Sequence, residues 1–122
     1  MPKKILVADD EEEIVFLLKR RLSKSGYEII VAPNGVEAFA LAKREAPDLL
    51  ILDVMMPELD GLTVCFRLKT DPKYQHMKII LLTARDQQKD KHAGETVGAD
   101  VYVTKPFEPD DLIKKIQELL EQ

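Results

Sequence analysis

The chain is poor in the features that mark secreted, membrane or nucleic-acid-gripping proteins. It has one cysteine, Cys65, so no disulfide can close within it, which fits a reducing compartment. No apolar stretch approaches the ~20 residues that a membrane helix needs. The apolar run at 5–8 is too short for the core of a signal peptide, and Asp9 follows it at once. No block of lysine and arginine stands out, and the net charge is −4. Direct binding of nucleic acid by this domain is therefore not expected. Linkers, repeats and low-complexity segments are also missing. The expectation is a soluble cytoplasmic protein with no membrane partner.

What is present suits one folded unit. The 122 residues match the size of a single domain, and 45% of them are hydrophobic, enough for a core without metals or disulfides. Five short apolar runs stand out, at 5–8, 28–31, 49–52, 79–82 and 101–103. Most lack polar alternation, as strands buried on both faces do. Helical spacing fills the gaps. Ile14, Leu17, Leu18 and Leu22 form one stripe, ended by Gly26. Asn34 reads as an N-cap before Val36, Ala38, Leu41 and Ala42, and Pro47 blocks continuation. Val64, Cys65 and Leu68 share a face that ends at Asp71-Pro72. Residues 87–97 are almost wholly polar and include Gly94, so a helix there is weakly supported. Pro109 sits at a first helical position before Leu112, Ile116, Leu119 and Leu120. The order is (βα)₅, an α/β fold with an open, doubly wound parallel sheet.

Ligands of such sheets bind beyond the carboxyl ends of the strands. The first strand delivers Asp9 and Asp10 there, the third Asp53, the fourth Thr83, and the fifth Thr104-Lys105-Pro106. The second delivers only Pro33-Asn34-Gly35. Each residue alone has an ordinary reading: a helix cap for an Asp, a strand-end Thr, a solvated Lys. Cys65 reads as core filler, and His76 and His92 as exposed. The combination is what carries the chemistry. Clustered carboxylates repel unless a cation joins them. Mg²⁺ is the natural one, hard and oxygen-seeking, with Mn²⁺ as the alternative ion. Asp53 is the best nucleophile for a phosphoryl group, with Lys105 and Thr83 meeting its oxygens.

Four stretches together resemble a known family, the receiver domains of two-component response regulators. They are Ile5-Leu6-Val7-Ala8-Asp9-Asp10-Glu11, Leu52-Asp53-Val54-Met55-Met56-Pro57 with Asp60-Gly61, Leu82-Thr83-Ala84, and Gly98-Ala99-Asp100 through Tyr102 to Thr104-Lys105-Pro106-Phe107. The resemblance covers essentially the whole chain. It implies a flavodoxin-like strand order of 2-1-3-4-5. It implies phosphoryl transfer to Asp53 from a histidine kinase or a histidine phosphotransfer protein. It places Mg²⁺ on Asp10, Asp53 and the Met55 backbone carbonyl, with Asp9 acting partly through water. It makes Thr83 and Tyr102 a switch pair acting on the face of the fourth helix, fifth strand and fifth helix. It also implies a cis bond between Lys105 and Pro106. On this reading the protein is a phosphoacceptor switch, not an enzyme beyond its own phosphorylation and dephosphorylation. Met55 and Arg85 flank the acceptor and lead us to expect a slowly hydrolysing phosphoform.

Two other classes compete. A flavin carrier on the same topology needs a Ser, Thr and Gly loop after the first strand, where this chain has Asp9-Asp10-Glu11-Glu12-Glu13 and no tryptophan to stack. An aspartate-nucleophile phosphatase usually has a second Asp two residues on, where this chain has Met55. A receiver that only binds partners is disfavoured because no required residue is missing. The sequence is expected to be one receiver domain, 1–122, with no output domain. The downstream partner is a protein target or a domain absent from this sequence, and a phosphorylation-dependent homodimer stays open.

Overall fold

The computed structural model describes residues 2–84 and 97–121. Its elements, in chain order, are β1 (Lys4–Ala8), α1 (Glu12–Lys24), β2 (Glu28–Ala32), α2 (Gly35–Glu45), β3 (Leu49–Asp53), α3 (Gly61–Lys69), β4 (Lys78–Ala84), β5 (Val101–Lys105) and α4 (Pro109–Leu120). The five strands form one sheet in the order β2-β1-β3-β4-β5. Every neighbouring pair is parallel. The α/β fold and strand order therefore match expectation. The weakly supported helix at 87–97 lies, except for Val97, outside the described residues, as do Arg85 and His92.

Burial on both faces explains the unbroken apolar runs. One face of the sheet sets Leu6, Leu50, Leu52, Ile79 and Leu81 against Ala38 and Ala42 of α2 and Val64 and Leu68 of α3. The other sets Ile5, Val7, Leu49, Ile51, Ile80 and Leu82 against Leu18 and Leu22 of α1 and Leu112 and Ile116 of α4. β3 lies at the centre, and all five of its residues are buried. Truncating such a leucine to alanine costs about 2–5 kcal/mol, because the site cannot collapse around the cavity.

The helix ends follow local chemistry. Asn34 caps α2, its Oδ1 accepting the Glu37 N–H at 2.9 Å. Asp60 does the same for α3, accepting the Thr63 N–H at 2.8 Å, a cap the sequence reading missed. Pro109 opens α4, where its missing N–H costs nothing. At the other end of the sheet, Lys69 of α3 ties the entrance of β5. Its Nζ lies 2.8 Å from Asp100 Oδ2 and donates to the Met77 carbonyl at 2.7 Å. Asp100 Oδ2 also accepts the Ile79 N–H at 2.8 Å.

Cys65 is fully enclosed, as core filler should be. Burial pushes its thiol up to about 12, since a thiolate there would be desolvated. We expect no maleimide labelling of the folded protein at pH 7 and one label per chain in guanidinium, read by intact mass. Rapid labelling of the folded state would contradict this packing. No described helix is long and apolar enough to cross a membrane.

Candidate functional site

The carboxyl ends of β1, β3 and β5 bring acid and base together. Asp9 and Asp10 directly follow β1, while Asp53 and Lys105 are the last residues of β3 and β5. One oxygen from each of Asp9, Asp10 and Asp53 can be chosen so that all lie within 4.8 Å of one another. Asp9 and Asp53 are buried, whereas Asp10 is exposed. Lys105 Nζ stands 2.9 Å from Asp9 Oδ2 and 3.4 Å from Asp53 Oδ2. The Lys105–Pro106 peptide is cis, as the resemblance implied. Asp10, Glu11, Asp53, Met55, Ala84 and Lys105 line a cavity of about 290 Å³ over these groups. A larger apolar groove of about 420 Å³ shares Asp10 with it but runs away along α1, so the smaller cavity is the chemical one.

Close backbone packing holds the acceptor in place. Asp53 pairs with Leu82 of β4, and the next N–H, from Val54, donates to the Leu82 carbonyl at 2.8 Å. Gly61 opens α3 directly against this strand end. A Cβ at Gly61 would lie 2.3 Å from the Asp53 carbonyl oxygen, so only glycine fits. The Met55 N–H donates to Asp53 Oδ1 at 3.3 Å, and the Met55 side chain is exposed.

The electrostatics are those of a site short of positive charge. Burial, and then the negative charge of Asp9, push the Asp53 carboxyl up to about 7, while Lys105 pulls it partly back. Burial would lower the Lys105 pKa. Its bonds to Glu11 and Asp9 and the charge of Asp53 outweigh that and raise it, so the ammonium stays charged. Asp9 Oδ2 is buried, and the Lys105 ammonium stands 2.9 Å from it. An oxygen-only donor set of three converging carboxylates suits a hard divalent cation. The acidic cluster thus fits a Mg²⁺ site.

Thr83 is buried next to Ala84. Tyr102 is half-buried on β5 and packs against the core cluster that includes Ile79 and Leu81. Thr83 pairs with Thr104 and Tyr102 with Leu81, so the two lie on adjacent strands, two residues apart. Period-two alternation puts them on one face of the sheet. Glu11 is the site residue that sequence reasoning missed. Its Oε1 accepts from Lys105 Nζ at 2.9 Å across 94 residues of chain. The run Asp10 to Glu13 reads as charge favouring a helix N-terminus. Only its place in the loop beside Asp9 and Asp10 hinted at more.

Known proteins agree with this geometry. The family model "Response regulator receiver domain" matches residues 5–117. The "Alkaline phosphatase synthesis transcriptional regulatory protein PhoP" of Bacillus subtilis is 48% identical over 120 residues, covering 98% of this chain and 49% of that protein. "Response regulator PleD" of Caulobacter vibrioides is 42% identical over 119 residues, covering 98% of this chain and 26% of that protein. The chain thus spans about half the length, or less, of these curated relatives. Among solved structures, a putative response regulator from Chloroflexus aurantiacus superposes with a TM-score of 0.94 at 35% identity, covering all of both chains. The chemotaxis protein CheY4 of Vibrio cholerae gives 0.88 at 32% identity, over 98% of this chain and 99% of that one. Fold, site geometry and likeness agree, and the chain belongs to the response regulator receiver domains of two-component systems.

Proposed function

We propose that Asp53 accepts a phosphoryl group from a phosphohistidine of a histidine kinase or phosphotransfer protein. Receiver domains are phosphoacceptor switches served by histidine kinases, and this chain has the groups such a transfer needs. The observation that carries the reading is the meeting of Asp9, Asp10 and Asp53 within 4.8 Å, with Lys105 Nζ 3.4 Å from Asp53.

Asp9, Asp10, Asp53 and the Met55 carbonyl are the groups that would hold Mg²⁺. Bound there, the ion favours the ionised form of Asp53 and offsets charge on the phosphoryl oxygens. A carboxylate oxygen of Asp53 attacks phosphorus, an O–P bond forms, and the N–P bond to the donor imidazole breaks. The departing imidazole keeps the bond's electron pair and takes a proton from solvent. Lys105 pairs with one phosphoryl oxygen, and the Thr83 hydroxyl donates to another. Moving Thr83 towards the site frees space beside β5, which Tyr102 fills on passing from half-buried to buried. The phosphoryl group acts by favouring one of two existing states. The altered face includes β5 and α4, and its partner is a protein target or an output domain. The chain acts as a receiver domain over 1–122, in the cytoplasm, and turns over no substrate beyond its own phosphoryl group.

Incubation with a small phosphodonor and Mg²⁺, read by intact mass, tests this. Wild type gains one phosphoryl group, while Asp53→Asn and EDTA-treated wild type gain none. A wild-type chain that gains no mass would sink the proposal.

A further inference from the structure

We infer that Glu11 is a placeholder for the incoming phosphoryl group: its carboxylate engages Lys105 while the site is unmodified and is displaced on phosphorylation. The inference rests on the reading of Asp53 as phosphoacceptor.

An ammonium has three N–H donors. Three carboxylates stand around this one, with Asp9 Oδ2 and Glu11 Oε1 at 2.9 Å and Asp53 Oδ2 at 3.4 Å. A phosphoryl oxygen that pairs with Lys105 must take the place of one of them. Asp53 carries the phosphoryl group itself. The Asp9 side chain is 0% exposed, so it has no path out into water. Its other oxygen, Oδ1, is already committed to the Glu11 N–H at 2.8 Å. The Glu11 side chain is 58% exposed, and water can replace its partner at little cost. Glu11 is thus the carboxylate that leaves. Because the same residue's N–H is bonded to Asp9, its side chain can depart while its backbone stays in register with the site.

A contact made only in the unmodified state opposes modification, by linkage. An exposed ion pair is worth up to about 1 kcal/mol, so the opposition is about two- to fivefold. The probe is fluoroberyllate, a phosphoryl mimic, titrated by calorimetry with Mg²⁺ held saturating. Glu11→Gln and Glu11→Ser should bind it about two- to fivefold more tightly than wild type. Glu12→Gln removes the same charge one residue along and should bind as wild type does. Equal tightening by Glu12→Gln would show a general charge effect and overturn the inference. A second measurement needs neither metal nor mimic. In EDTA, Glu11→Gln should lower the melting temperature of wild type but not of Lys105→Met, and additive effects would overturn the inference. If wild type binds no mimic, the phosphoacceptor reading fails and the inference fails with it. If wild type binds, Asp53→Asn does not, and the Glu11 variants match wild type, the inference alone fails.

Discussion

Without divalent metal, Asp53→Asn is expected to be more stable than wild type at pH 8, and the gap should close towards pH 4. The reason is the cost of an ionised Asp53. Its carboxyl titrates at about 7 in the folded chain against an ordinary 3.8. A carboxyl raised on folding lends stability below its unfolded value and loses that stability as pH climbs through the folded value. The metal-free wild type should therefore weaken between about pH 4 and pH 7, by up to about 4 kcal/mol, and then level off. Asparagine carries no charge to desolvate against Asp9, so the variant escapes this loss. Mg²⁺ should restore wild type, by about 2.7 kcal/mol at a hundredfold excess over its dissociation constant, and raise the variant less. Thermal melts across pH, in EDTA and in Mg²⁺, read both effects. An Asp53→Asn chain no more stable than wild type at pH 8 in EDTA would contradict the charge balance described here.

Gly35→Ala is expected to destabilise strongly, against what helix propensity alone says. Gly35 is the first residue of α2, and replacing glycine by alanine in a helix normally gains about 1 kcal/mol. Here a Cβ would lie 1.6 Å from the Leu59 carbonyl oxygen and 2.6 Å from its carbon. The obstacle is backbone, with no flexible side chain to swing aside. Overpacking of this kind costs about 1–3 kcal/mol and sometimes more, and a clash this deep belongs at the upper end. The net expectation is a loss of about 2 kcal/mol or more, or roughly 10 °C in melting temperature. A melting temperature equal to or above wild type would mean that the loop at Leu59 yields freely.

The strands were legible because each face of the sheet has its own helices, which turns every strand into an apolar run. The apolar runs stop before the strands do. β3 extends to Asp53, β4 to Ala84 and β5 to Lys105, one to two residues past the last apolar side chain. Hydrophobicity marks where a strand is buried in apolar packing, whereas hydrogen bonding continues into the polar residues that do chemistry. Asp53, Thr83 and Lys105 are therefore strand residues, held by the ladder. Asp9, Asp10, Asp53, Thr83 and Lys105 stood out because a strand end is where a parallel sheet exposes function. Their grouping around a cation and a phosphoryl group followed from their chemistry, while the full ligand set of the ion and the switch role of Thr83 with Tyr102 came from family resemblance. Glu11 was hidden because its partner is 94 residues away, and spacing says nothing about which carboxylate will reach an ammonium.

The entrance to β5 gives the sheet a mechanical asymmetry. Asp100 is fastened by Lys69 and by the Ile79 N–H just before the strand begins, and Lys105 ends the strand beside the cavity. β3 is laddered along both edges, whereas β5 has one strand neighbour among the described residues. The central strand is braced on both edges, whereas β5 is laddered to β4 along one edge and tied at both ends, by Asp100 at its entrance and Lys105 at its exit. A load on Lys105 is therefore passed first to Ala84 and the rest of β4, its one strand neighbour among the described residues. The outer strand thus has half the lateral support of the central one at the edge where the acid and the ammonium meet.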